Sequence, residues 1–268
     1  MQSSNTQTPQ LIRNVKDGVL ILTINRPERR NAMSPEIYAS MHQALSSAVE
    51  DKDIGAIVLT GSGTAFSAGG DVARMAGATA EELSYEQKIA RLRGRARISE
   101  LLHTMDKPTI AMIRGPAVGA GLSIALSCDM RFSDTTARLG TAFLNVGLSG
   151  DFGGHYFLPK LVGMAKAREL YLTAPILNAQ ESLSIGLLNQ VFEPEELEST
   201  VMAIASKLAR GPRTAMAYMK QNLNHALHAS LSEVIDGESW RHIRCTETED
   251  HKEATQAYVE KRPPNFAR

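Results

Sequence analysis

Short apolar runs alternate along the chain with stretches that repeat apolar residues every three or four positions. Residues 18–24 form an apolar, β-branched run that ends at Asn25-Arg26-Pro27. Such a run predicts a strand, and proline, which cannot donate to a ladder, stops it. Residues 54–60, 109–113 and 130–133 predict three more strands. After the first, Ser34-Pro35-Glu36 predicts a helix start, with serine as N-cap and proline at the first helical position. Ile37, Met41, Leu45 and Val49 recur every four positions and are expected on its inward face. Residues 80–103 predict a helix with many exposed charges, and 120–127 a buried one. Strands alternating with helices indicate an α/β core with right-handed crossovers.

The last third changes character. Helical patterns cover 165–172, 179–185, 197–209, 214–228 and 231–246, interrupted by one short strand at 190–192. No Gly/Pro linker sets this block apart, so it reads as a continuous extension. The expected organisation is a flexible lead (1–10), an α/β core (11–200) and a helical C-terminal region (201–268). The apolar surface on these helices suits packing against another subunit.

Composition narrows the partners. The chain has 268 residues, 43% hydrophobic and 22% charged, enough for the core of one large domain. Its 29 basic and 29 acidic residues balance, which favours neither nucleic acid nor an anionic membrane as partner. Cys128 and Cys245 are too few for a disulfide framework or a thiolate cluster. No apolar run approaches the ~18 residues of a membrane helix, and residues 1–10 lack the apolar stretch of a signal peptide. A reducing, cytoplasmic location is the expectation. His225 and His228 sit on a predicted helix without a third ligand nearby, so no metal site is expected.

Two glycine-rich turns carry the candidate chemistry. Phe66-Ser67-Ala68-Gly69-Gly70-Asp71 follows one predicted strand, and Gly115-Pro116-Ala117-Val118-Gly119-Ala120-Gly121 follows another. Small residues let a backbone approach a ligand, and a helix start leaves N–H groups without internal acceptors. Two such turns can aim one N–H each at a single oxygen, the geometry of an oxyanion hole; the alternative is a small-residue helix that needs close packing. Asp151 lies in a glycine-rich, largely apolar loop. A carboxylate with little polar company has a raised pKa and can exchange protons with carbon acids; the alternative is a plain helix N-cap.

With Asn31-Ala32, Cys128-Asp129, Gly153-Gly154 and the closing Lys261-Arg262-Pro263-Pro264-Asn265-Phe266, these segments resemble the crotonase superfamily, the enoyl-CoA hydratase/isomerase family, from about Leu11 to Phe266. The resemblance implies a spiral of ββα repeats with a helical C-terminal region, assembled as trimers or dimers of trimers. It implies an acyl-CoA thioester substrate, with coenzyme A as part of the substrate and no separate cofactor. The oxyanion donors fall on Gly70 and Ala120. Ala68, Asp71 and Phe143 fall along the substrate site, and Arg29 and Arg30 where the family holds the coenzyme A phosphates, unless they form only a solvated turn. Lys261 and Phe266 match a tail that in some relatives completes a neighbour's site. Residues 76–97 are the expected pocket wall.

The same resemblance shows a departure. The two glutamates of the common hydratases fall on Ser123 and Phe143. A serine needs its own activating base, and a phenylalanine cannot exchange protons. Asp151 remains, at a position where double-bond-shifting members of the family carry an aspartate. The expected activity is therefore enoyl-CoA isomerisation with Asp151 as the single acid/base. Hydration by another water-activating group, hydrolysis and a non-catalytic coenzyme A-binding role stay as alternatives. Dehalogenation of chlorobenzoyl-CoA would need a histidine at Glu100 and a tryptophan at Phe143.

Overall fold

A computed structural model describes residues 9–77 and 83–266. Two adjacent strands open it, β1 (Leu11–Lys16) and β2 (Val19–Ile24), paired antiparallel. Asp17 and Gly18 both take positive φ (52° and 75°), the backbone that a two-residue hairpin requires. β1 is absent from the sequence expectation because only Leu11 of its six residues is buried. The flexible lead expected at 1–10 falls almost wholly outside the described residues.

β2 then leads a parallel series with β3 (Ala56–Gly61), β4 (Thr109–Ile113), β6 (Met130–Asp134) and β9 (Gln190–Phe192), in the sheet order β1-β2-β3-β4-β6-β9. Side chains alternate between its two faces. Leu20, Leu22, Ile24, Ile57, Leu59, Ala111 and Ile113 join one core, with α1 (Pro35–Glu50), α3 (Tyr85–Thr104) and α4 (Ala120–Leu126). Val19, Ala56, Val58, Ile110 and Met112 join a second core with α8 (Leu197–Ala209). The boundary expected at 200/201 thus falls inside α8, whose Val201, Ala205 and Ala209 are buried against the sheet.

A smaller sheet of β5 (Pro116–Val118), β7 (Arg138–Gly140) and β8 (Leu177–Asn178) stands beside the first. Its strands have two or three residues, too short to show a period in sequence. α2 (Val72–Gly77) follows the first glycine turn. α5 (Gly154–Val162), α6 (Met164–Thr173) and α7 (Ala179–Ser184) follow the Asp151 loop. α9 (Arg213–Ala226), α10 (Leu231–Thr246) and α11 (Glu249–Glu260) complete the chain. No helix among the described residues is long and apolar enough to cross a membrane.

Helix α1 starts as expected. Ser34 Oγ accepts from Ile37 N–H at 3.2 Å and Pro35 occupies the first helical position. Ile37, Met41 and Leu45 are fully buried, but Val49 is 39% exposed and Ala48 takes its inward place. A four-residue step overshoots the helical period, so three steps rotate a side chain by about 120° off the starting face. The helix expected at 80–103 is observed as Tyr85–Thr104; residues 80–82 lie outside the described set.

α9 is tied to the core by Lys220. Its ammonium donates to Leu102 O (2.9 Å), Lys107 O (3.2 Å) and Asp129 Oδ2 (2.9 Å). Asp129 Oδ2 also accepts from the Thr109 N–H and hydroxyl, at 2.7 and 3.0 Å. One carboxylate oxygen therefore joins the head of β4 to the helical extension.

Candidate active site

The first glycine turn is built on Asn31, which is wholly buried with φ +57°. Its amide nitrogen donates to Ser62 O (2.8 Å) and Ala65 O (2.6 Å), and its oxygen accepts from Arg26 N–H (2.9 Å). Ser67 Oγ donates to Asn31 O at 2.8 Å and accepts from Gly69 N–H at 3.1 Å. Met33 N–H donates to Gly69 O at 2.8 Å. With these bonds made, Gly70 N–H has no acceptor among the described residues.

The second turn is joined to the first by backbone. Ser67 N–H donates to Pro116 O at 2.9 Å, and Val118 N–H donates to Ser67 O at 3.0 Å. Gly69 has φ +84°, and a Cβ there would stand 2.6 Å from Val118 O and 3.3 Å from Ala120 N. Only glycine lets the turns approach this closely. Ala120 opens α4, whose seven residues are all buried, and its N–H also has no acceptor among the described residues. Two unpaired N–H groups thus stand on adjoining turns, and both residues line one cavity of about 470 Å³.

Asp151 lines the same cavity. It does not cap α5, whose N-cap is Gly153. Its Oδ1 is buried without a hydrogen-bond partner, and burial pushes its pKa up to about 6. Two phenols lie near it. Burial, with the Asp151 charge adding, raises Tyr171 to about 12 and raises Tyr38 as well, so both stay neutral hydroxyls. Asp71, the other carboxylate of the lining, is already engaged. Burial raises its pKa, but the Arg74 N–H and the Arg26 guanidinium (3.0 Å) outweigh this and lower it.

A family model described as Enoyl-CoA hydratase/isomerase matches residues 14–268. The chain belongs to the enoyl-CoA hydratase/isomerase family. It is 35% identical over 249 residues to a short-chain-enoyl-CoA hydratase of Clostridium acetobutylicum, covering 92% of this chain and 94% of that one. It is 32% identical over 258 residues to a trans-2-decenoyl-[acyl-carrier-protein] isomerase of Streptococcus mutans, covering 96% and 97%. The crystal structure of a putative enoyl-CoA hydratase from Streptomyces coelicolor A3(2) superimposes with a TM-score of 0.91 at 31% identity, covering 99% and 98%.

Within this enoyl-CoA hydratase/isomerase scaffold, Gly70, Ala120, Asp151, Ala68, Asp71 and Phe143 all line the cavity. Arg29, Arg30, Lys261 and Phe266 do not. Arg29 and Arg30 are exposed on a short 3-10 turn, yet Arg30 O accepts from Ala68 N–H at 2.9 Å, so that turn abuts the cavity rim. Lys261 and Phe266 lie beyond α11, where Asn265 N–H and Arg262 bind Glu253. Glu100 is outside the lining and bound to Arg93. Ser123 is buried, and a Cβ added at Gly154 would run into the Ser123 and Tyr171 hydroxyls.

The sequence reading missed Tyr38, Tyr171 and the cations Arg74, Lys88, Arg91 and Arg95. Tyr38 sits beside the regular apolar stripe of α1 and reads as packing. The cations read as the solvated face of a helix, although residues 76–97 were the expected wall. Their common side appears only once α3 is laid over the glycine turns.

Proposed function

We propose that the chain shifts a carbon–carbon double bond in an acyl-CoA thioester. The observation that carries this is the cavity's chemical inventory: two unpaired N–H groups and one unengaged carboxylate with a pKa near neutrality. The thioester oxygen sits between Gly70 and Ala120. The Asp151 carboxylate takes a proton from the carbon beside the carbonyl of a 3-enoyl thioester. The electron pair moves onto the oxygen as a dienolate, which the two N–H groups hold. The Asp151 acid then returns the proton two carbons further along, giving the conjugated 2-enoyl thioester. No atom or electron is gained or lost, so the reaction calls for no metal or redox cofactor. An acid near pH 6 is matched to exchange at both carbons.

Hydration of a 2-enoyl thioester is the second reading, favoured by the name of the Clostridium relative. It needs a group to activate water, and Ser123 and Phe143 stand where the common hydratases carry glutamates. The exposed turn bearing Arg29 and Arg30 supports a coenzyme A phosphate site beside the rim. Exposed Met219, Leu223, Leu231, Ile235 and Trp240 on α9 and α10 support a trimer or dimer of trimers. In such an assembly Lys261 and Phe266 would complete a neighbour's coenzyme A site, as the family resemblance implies.

The test is a panel of 2-enoyl-, 3-enoyl- and dienoyl-CoA thioesters, followed by absorbance of the conjugated thioester and by mass. Conversion of 3-enoyl to 2-enoyl at unchanged mass, lost in Asp151→Asn, is the expected result. Efficient gain of water on 2-enoyl-CoA, or isomerisation unaffected by Asp151→Asn, overturns it.

A further inference from the structure

Among the described residues, Arg74, Lys88, Arg91 and Arg95 line the cavity together with Asp71 and Asp151, and Arg91 already has a partner. Asp71 is taken by Arg26, and Asp151 is pushed toward its neutral form by burial. Lys88, Arg91 and Arg95 are spaced three and four residues apart on α3, which puts them on one side of that helix. The outward-turned Arg93 of the same helix is paired with Glu100 instead.

Arg95 is placed most tellingly. Its guanidinium lies over the Tyr38 ring, 5.3 Å from the centroid. Phe152 stacks on the same ring at 5.1 Å. Tyr38 therefore feels both the Asp151 carboxylate and the Arg95 cation. Neither Arg95 nor Lys88 makes an ion pair with a carboxylate among the described residues. Arg95 is half-buried and Lys88 exposed, so an anion entering the cavity would meet one partly desolvated and one solvated cation in charge-assisted hydrogen bonds.

We propose that Arg95, with Lys88, forms a subsite for a carboxylate at the far end of the acyl chain, so that the preferred substrates are ω-carboxyacyl-CoA thioesters. This rests on the acyl-CoA reading of the cavity. Coenzyme A also brings anions, its phosphates, but Arg29 and Arg30 stand for those outside the lining, next to Ala68. Arg95 lies inside it, with its guanidinium over the ring of Tyr38, a residue that shares the cavity lining with Asp151.

The experiment is calorimetric titration with unreactive saturated thioesters matched in length: glutaryl- against pentanoyl-CoA, and adipyl- against hexanoyl-CoA, with free coenzyme A as reference. At least one dicarboxylic member should bind about tenfold or more tightly than its uncharged match. Arg95→Gln, and independently Lys88→Gln, should bring that ratio close to one. A ratio near one in the wild type, with free coenzyme A still bound, overturns the carboxylate subsite alone. Equal weakening of free coenzyme A and all four thioesters by Arg95→Gln assigns the cation to phosphate and likewise overturns it. Failure of every ligand, coenzyme A included, overturns the acyl-CoA reading as well.

Discussion

The Tyr38 ring lies against Phe152 with centroids 5.1 Å apart and planes 16° from parallel, directly after Asp151 in the chain. Phe152 is 2% exposed and has φ +53°, a left-handed backbone that a bulky residue adopts only under constraint. The stack supplies that constraint, and it aims the preceding carboxylate. Tyr38→Ala should lower kcat about tenfold with a smaller change in KM, whereas Tyr38→Phe, which keeps the stack, should restore kcat. Steady-state kinetics of the three forms at low temperature check this.

Asp151→Asn removes the proton shuttle but keeps the shape. Isomerase kcat should fall by about 10²–10⁴-fold, while binding of a saturated acyl-CoA changes little. Stopped-assay turnover and calorimetry measure the two arms.

Wild-type kcat/KM should rise with pH through about 6 and level off above, because the free enzyme must present the carboxylate. Stability runs the other way. The folded pKa lies above the ordinary aspartate value of 3.8, so the native state holds the proton more tightly. Below both values nothing is lost; as pH rises from about 4 past 6, charging the buried group costs about 3 kcal/mol. Asp151→Asn should therefore melt higher than wild type at pH 8, with the gap closing by pH 4. Thermal melts across that range check the sign.

Gly69→Ala drives a Cβ toward Val118 O, 2.6 Å away, in a backbone with φ +84°. The turns must part, and Gly70 and Ala120 lose their common target. We expect kcat to fall about 10²-fold, the scale of one misplaced oxyanion donor, together with a lower Tm.

Lys220→Met leaves Asp129 without its ammonium and takes a donor from the Leu102 and Lys107 carbonyls, of which Leu102 O keeps the Thr109 hydroxyl. A loss of about 2–3 kcal/mol is expected, below the full value for a buried pair because Asp129 is partly exposed. Urea unfolding measures it, and the loss should exceed that of an exposed pair such as Lys252–Glu249.

The long elements were legible because their periods are. β2, β3 and β4 are continuous apolar runs, and α1 shows both its N-cap and its stripe. The glycine turns and Asp151 stood out in the sequence as candidates, although a close-packed small-residue helix and a plain N-cap produce the same local patterns. Three things were not. β1 buries one residue and carries no stripe. β5, β7 and β8 are too short to show a period. The cations of α3 gain meaning only from what lies across the cavity, which no local pattern encodes. The same holds for Tyr38, whose place next to Ile37 marks it as packing while its ring reaches Phe152.

Ser67 binds Pro116 and Val118 through backbone, so the two glycine turns are clamped by the same kind of bond that holds strands together. The proposed seat of the thioester oxygen is thus fixed by main chain, whereas α3 adds exchangeable side chains to the cavity wall. Selection can refit the second without disturbing the first. The chain is built like a tool with a permanent handle and a replaceable bit, in which a change of substrate need not begin with a loss of catalysis.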